Sequence, residues 1–185
     1  MKGPLDVHRD LLSAGVPHEI VRLHRPLNTA DEMPDVLVLP NSSCVSVRMY
    51  DAGGTLYALA VPAGLPLRSG ALARALGVQS ILPAPVHRVN AVTDFTASLV
   101  SPICLPADVR LVVDACLGVT EVLYAPTGDS GTVLKIRSHD LLTHTGALVT
   151  ALTAPAALPD SVELDVAAVP RRLPVRPLLR ASRAR

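Results

Sequence analysis

Residues 119–148 constrain the fold of this chain more than any other stretch. They read VTEVLYA, PTGDSG, TVLKIR and SHDLLTHTGAL in succession. Val119, Glu121, Leu123 and Ala125 fall on one face of an extended segment, with Val122 and Tyr124 on the other. Residues 132–137 alternate in the same way, and a period of two is the mark of a strand with one buried face. Between the two segments stand Pro126, Gly128, Asp129 and Gly131, each a turn former for its own reason. The pattern predicts a β-hairpin. Ser138 is placed to cap a following helix and Gly146 to end it.

The turn also matches the GDSG around the nucleophile of chymotrypsin-like serine proteases. That chemistry needs a histidine base and an oriented acid beside Ser130. None of the six histidines sits in a recognisable protease motif. At least four helical stretches also argue against a double barrel. The tetrapeptide is therefore read as a turn.

With 185 residues, one domain is expected, and 49% hydrophobic residues suffice for a sizeable core. Aromatic residues make up only 2%, so Leu, Val and Ala must fill that core and few rings remain to stack nucleic-acid bases. A net charge of +1 gives no global attraction to nucleic acid or membrane. Lys2 and Lys135 are the only lysines, so Lys135 is the one amine side chain well inside the folded region. Cys44, Cys104 and Cys116 are odd in number and widely spaced, which fits reduced, mostly buried thiols in a cytoplasmic protein rather than a disulfide framework or zinc knuckle. The first ten residues lack a signal-peptide apolar region, and no apolar run is long enough to span a membrane.

Along the chain, the spacing predicts a helix over 5–14, a strand over 18–24, and a short helix ending near Pro40. The helix start carries a Thr29-x-x-Glu32 capping pattern, with Asp31 as the alternative cap. Strands follow over 44–50 and 55–61, a helix over 67–76, a short strand over 78–82 and a helix from Pro85 to about Val92. Residues 93–106 read as an ordered loop and 109–114 as a strand before the hairpin. Beyond Ala154 prolines break the pattern, and residues 171–185 hold six arginines and no acid. The expected organisation is a domain over 1–154 and a disordered Pro/Arg-rich tail over 155–185. Strands and helices mix without regular βαβ alternation, so the class is α+β.

The order of these signatures resembles the YbaK-type aminoacyl-tRNA deacylases, which share a domain with the prolyl-tRNA synthetase editing insertion. The anchors are LLSAGVPHEIV, ALARALGV, Ser101-Pro102 and EVLYAPTGDSGTVLKIRSHDLLTHTGA. The resemblance covers about residues 5–150. It implies a mixed, curved, barrel-like sheet of about six or seven strands flanked by helices. It also implies hydrolysis of the ester joining a wrong, small amino acid such as Ala or Cys to a tRNA for proline. The implied partners are the aminoacylated tRNA 3′ end and an aminoacyl-tRNA synthetase, in the cytoplasm, with no metal and no cofactor.

Residue by residue, the family's strand lysine falls on Ser46, and Arg48 two positions on shares its face. A guanidinium is not an equivalent group, being always charged and reaching differently. The family's paired glycines before Ser-Pro fall on Ser98 and Leu99, and Thr127 stands where another glycine precedes Gly128. The resemblance thus points to Ser46, Arg48, Ser101 and Gly128 as catalytic. Asp94, Pro102, Thr127, Gly131 and Lys135 are the expected substrate-binding set, Lys135 as an amine that could replace the missing lysine. The alternative is a non-catalytic member of the fold that binds an aminoacyl-tRNA end, a nucleotide or a synthetase partner. The basic tail has its own pair of readings, a phosphate-contacting arm or a solvated extension.

Overall fold

The computed structural model describes residues 1–67 and 69–153. The chain opens with α1 (Pro4–Ser13), where Pro4 occupies the first turn and the Asp6 carboxylate accepts the Gly3 amide at 2.9 Å. Val7 and Leu11 of α1, one turn apart, are fully buried. Strand β1 (His18–Arg22) follows, then a 3-10 turn (Ala30–Glu32) and α2 (Met33–Leu37). Glu32 takes the Asn28 amide rather than that of Thr29, so the capping pattern closes one residue early.

A second 3-10 turn (Asn41–Ser43) leads into β2 (Val45–Ala52) and β3 (Thr55–Pro62). Next come α3 (Ser69–Leu76), β4 (Leu82–Pro83), α4 (Val86–Thr93) and β5 (Arg110–Asp114). The chain continues through α5 (Ala115–Gly118), β6 (Val122–Pro126), β7 (Thr132–Arg137), α6 (Ser138–Thr145) and β8 (Leu148–Thr150).

The eight described strands form two sheets. One is the antiparallel set β1-β7-β6, with the expected hairpin as its β6–β7 half. The other runs β4-β2-β3-β5-β8, antiparallel through β3 and parallel across β5 and β8. A parallel bridge between Cys44 and Tyr124 joins the two. The α+β expectation holds, with helices flanking strands. The mixed sheet is divided in two and does not close into a barrel.

Three apolar clusters hold this arrangement. The main one lies between the sheets, where Val45, Val47, Ala58 and Ala60 face Leu123, Leu134 and Ile136. Burying each such aliphatic side chain is worth roughly 1.5–3 kcal/mol. A second gathers Leu27, Ala30, Met33, Cys44, Leu99 and Val133. The third covers the opposite face of the five-stranded sheet, where Tyr57, Leu59, Val61 and Val112 meet Leu72 and Leu152.

Some local expectations shift. The strand expected over 78–82 shrinks to Leu82–Pro83, paired with Asp51 and Tyr50. Ser138 is the first residue of α6, and its hydroxyl donates to the Leu117 carbonyl at 2.9 Å instead of capping its own helix. The expected tail over 155–185 lies outside the described residues.

Candidate functional site

Strand β2 turns Val45, Val47 and Met49 to the inter-sheet core and Ser46 and Arg48 to the other face. The 3-10 turn at Ala30–Glu32 carries Asp31 to that face. Arg48 Nη2 donates to Asp31 Oδ1 at 3.2 Å, and the Gly64 amide donates to the same oxygen at 2.8 Å. The Ser46 side chain lies on the same face and adds to the stabilisation of this carboxylate. Burial alone would raise the Asp31 carboxyl, but the Gly64 amide, the Arg48 charge and the Ser46 hydroxyl outweigh it and hold the pKa below the ordinary value. Asp31 is 42% exposed and Arg48 26%, so the pair adds little stability, at most about 1 kcal/mol. What it does is fix where the guanidinium points.

Two further segments converge here. The Ala30 amide donates to the Ser98 carbonyl at 3.1 Å, and Leu99 packs with Ala30, Met33, Cys44 and Val133. This draws the loop before Ser101 against the Asp31 turn. The hairpin turn is tied to the same segment, because the Leu27 amide donates to Ser130 O and the Leu23 amide to Gly131 O, both at 2.8 Å. Within the turn, Asp129 Oδ2 accepts the Gly131 amide at 2.9 Å and the Thr132 hydroxyl at 3.1 Å. GDSG is a turn here, built around the Asp129 carboxylate.

The expected site residues fall into distinct settings. Ser46 and Arg48 are brought together on Asp31, which the sequence marks only as an alternative cap. The signal that could have found it is the combination of a lysine lost at 46 and an arginine at 48, since a buried-face cation requires a carboxylate near it. Ser101 is fully buried and its hydroxyl accepts the Ile103 amide at 3.2 Å. Pro102 is buried beside it, on the wall of a separate cavity. Thr127 is fully buried and shares a hydrogen bond of 2.8 Å with the Thr132 hydroxyl.

Gly128 has φ +92°, and the space where a Cβ would stand is filled by Phe95 and the Lys2 carbonyl oxygen. Its missing side chain serves packing on that side. Asp94 ends α4 in the left-handed conformation (φ 59°), its carboxylate 3.1 Å from the N-terminal ammonium.

Lys135 lies on β7 with its ammonium 3.1 Å from both Glu19 carboxylate oxygens across the β1–β7 pair. It makes no contact with Ser46 or Arg48 among the described ion pairs and hydrogen bonds. Lys135→Ala is expected to leave hydrolysis of any tRNA ester unchanged and to shift stability by no more than about 0.5 kcal/mol, as for an exposed pair. A drop in turnover at unchanged melting temperature would put the amine back among the functional groups.

Burial pushes the Cys44 thiol up to about 12 and, with Asp10 adding, the Cys104 thiol up to about 11. Neither supplies a thiolate at neutral pH. Among the described residues no group of three or more His, Cys, Asp or Glu side chains is placed to hold a metal ion, and no helix is long and apolar enough to cross a membrane.

The family model described as aminoacyl-tRNA editing domain matches residues 24–144. That span takes in Asp31, Ser46, Arg48, Ser101 and the whole hairpin turn. No curated protein matches the sequence. Among solved structures, the hypothetical protein APE2540 aligns at TM-score 0.74 and 23% identity, covering 80% of this chain and 99% of its own. A scaffold used for computational epitope grafting aligns at TM-score 0.71 and 24% identity, over 81% of this chain and 96% of its own. A protein provisionally described as a trans-editing enzyme for prolyl tRNA synthetase aligns at TM-score 0.72 and 21% identity, over 80% of this chain and 95% of its own. At these identities the likenesses speak for the fold.

Proposed function

Since the chain belongs to the aminoacyl-tRNA editing domain family, we propose that it hydrolyses the ester of a mischarged tRNA as a cytoplasmic deacylase. The proposed substrate is a small amino acid, Ala or Cys, on a tRNA for proline. The observation that supports this reading best is the convergence of Ser46, Arg48 and Asp31 with the Ser98–Leu99 segment inside the matched span.

In this reading Arg48 binds a phosphate of the tRNA end, where a guanidinium makes charge-assisted bonds to oxyanions. Asp31 holds the guanidinium at its post, so little ordering entropy remains to be lost on binding. Water adds to the ester carbonyl, an oxyanion develops, and the bond to the ribose oxygen breaks as that oxygen takes a proton. Direct addition of water gives the free amino acid and tRNA. Backbone amides lining the approach stabilise the oxyanion best, because they are already oriented when the charge appears.

Hydrolysis of a panel of mischarged tRNAs, including alanyl- and cysteinyl-tRNA for proline, tests this directly. Release of one amino acid by the purified chain is expected. Arg48→Ala should lower that rate by about tenfold, the usual worth of a charge-assisted bond. No release from folded protein across the panel sinks the deacylase.

One observation favours a second reading. Ser46 stands where the resemblance places a lysine, and the nearby Arg48 is already engaged by Asp31. A chain of this kind would bind the aminoacyl-tRNA end, or a synthetase carrying it, without cleaving the ester. Arg48-dependent retention of uncleaved aminoacyl-tRNA would select it.

A further inference from the structure

Around the β5–β8 edge of the sheet that carries Arg48 lies a cavity of about 660 Å³. Register separates the two. Arg48 on β2 pairs with Leu59 on β3, Leu59 with Val112 on β5, and Val112 with Leu148 on β8. Leu59 and Val112 are buried, and Leu148 lines the cavity. The next row, Tyr50–Tyr57–Arg110, places Arg110 at the cavity as well. With strands about 4.8 Å apart and residues about 3.3 Å apart along them, Arg110 stands roughly 12 Å from Arg48 at the backbone.

We propose that this cavity is a second binding site, for a small organic acid with an apolar body. Its volume lies within the range of about 300–1,000 Å³ that ligand pockets occupy. Leu76, Val109, Leu111, Ala147 and Leu148 give it apolar walls. Asp10 and His144, both on the lining, bond each other at 2.7 Å, while Arg110, also on the lining, makes no ion pair among the described residues. Its guanidinium rests 5.9 Å from the Tyr57 ring centroid. A ring face orients a guanidinium without consuming its donors, which remain free for a carboxylate in bidentate geometry.

The wall is also held in an uncommon shape. Cys104 has φ +61°, a region that side-chain-bearing residues visit at a cost on the order of 1 kcal/mol or more. Lys2 Nζ donates to its carbonyl at 2.7 Å and keeps it there. Strain of this kind persists where surrounding contacts over-determine it, and it clusters at ligand clamps. The site does not depend on the editing reaction.

The probe is 8-anilinonaphthalene-1-sulfonate, an anionic amphiphile that fluoresces when it leaves water, titrated into the full chain. Saturable binding of one probe per chain is expected, with displacement by octanoate but not by inorganic phosphate at the same concentration. Arg110→Gln should raise the dissociation constant about tenfold, the loss of a charge-assisted pair. Because Arg110 is exposed, its circular dichroism and melting temperature should be unchanged. Ala107→Trp, at an exposed position on the lining, should weaken the probe by obstruction while leaving Arg110 in place. Absence of saturable binding overturns the proposal. So does affinity unchanged in both variants, or displacement by phosphate as effective as by octanoate.

Discussion

Asp114→Ala is expected to lower the unfolding free energy by about 3 kcal/mol, since it strips a buried carboxylate from several donors at once. Asp114 is 1% exposed at the end of β5. One oxygen caps α5 by accepting the Cys116 amide at 2.8 Å. The other accepts the Leu152 amide at 2.8 Å, the Thr153 amide at 2.7 Å and the Thr153 hydroxyl at 3.0 Å. Alanine leaves these donors without a partner in a place water does not reach, and it loosens the segment after β8. Urea unfolding measures the loss. A change below about 1 kcal/mol would mean that the 150–153 segment relaxes to find other acceptors.

The same group sets a direction for acid. Burial would raise its pKa, but the Cys116, Thr153 and Leu152 amides outweigh that and depress it below 3.8. A carboxyl held lower in the folded than in the unfolded chain contributes fully above the ordinary value. That contribution disappears as pH falls below 3.8 through the folded pKa. Asp31 is depressed in the same sense. The chain should therefore lose stability on its acid side, and Asp114→Asn should make the decline below about pH 4 shallower.

Gly128→Ala carries the other large effect, an expected loss of about 2–4 kcal/mol. A Cβ there would lie 2.6 Å from Phe95 Cδ1 and 2.7 Å from the Lys2 carbonyl oxygen. Phe95 is fully buried and the Lys2 oxygen is backbone, so neither obstacle swings aside cheaply. The φ of +92° adds a conformational penalty. Gly64 is the internal control. It also has positive φ, but its added Cβ would meet only Asn41 Nδ2, the end of a side chain, at 2.9 Å. Gly64→Ala should cost clearly less by thermal unfolding, and equal costs would show that φ alone decides both.

Where a signal is local, the amino-acid order carried it. Val122–Pro126 and Thr132–Arg137 alternate, so the hairpin and its turn are visible without coordinates. Gly146 ends α6 in the left-handed conformation, as its position after the helical pattern implies. The short elements left no such trace. Ala115–Gly118 is one turn of helix whose cap is an aspartate that also ends a strand. Leu148–Thr150 becomes a strand only because Val112 and Val113 offer a parallel edge. The role of Asp31 was hidden for the same reason. Its partners Arg48 and Gly64 lie 17 and 33 residues away, and no periodicity links positions so separated. The resemblance located Ser46 and Arg48 on their strand, but not the carboxylate that joins them.

The pairing of β1 with β7 sets a schedule for synthesis of the chain on the ribosome. Glu19 and Lys135, partners across that pair, are 116 residues apart. At about 5–20 residues per second, β1 waits roughly 6–23 s before its only described sheet partner is made. During that interval α1 and Ile20 lack the β6–β7 half of the core they pack into, while β2 and β3 emerge consecutively and can pair at once. The first of the described strands to be translated is thus among the last of them to be placed. Mutations that make β1 more apolar should reduce soluble yield in the cell more than they change the stability of the finished fold.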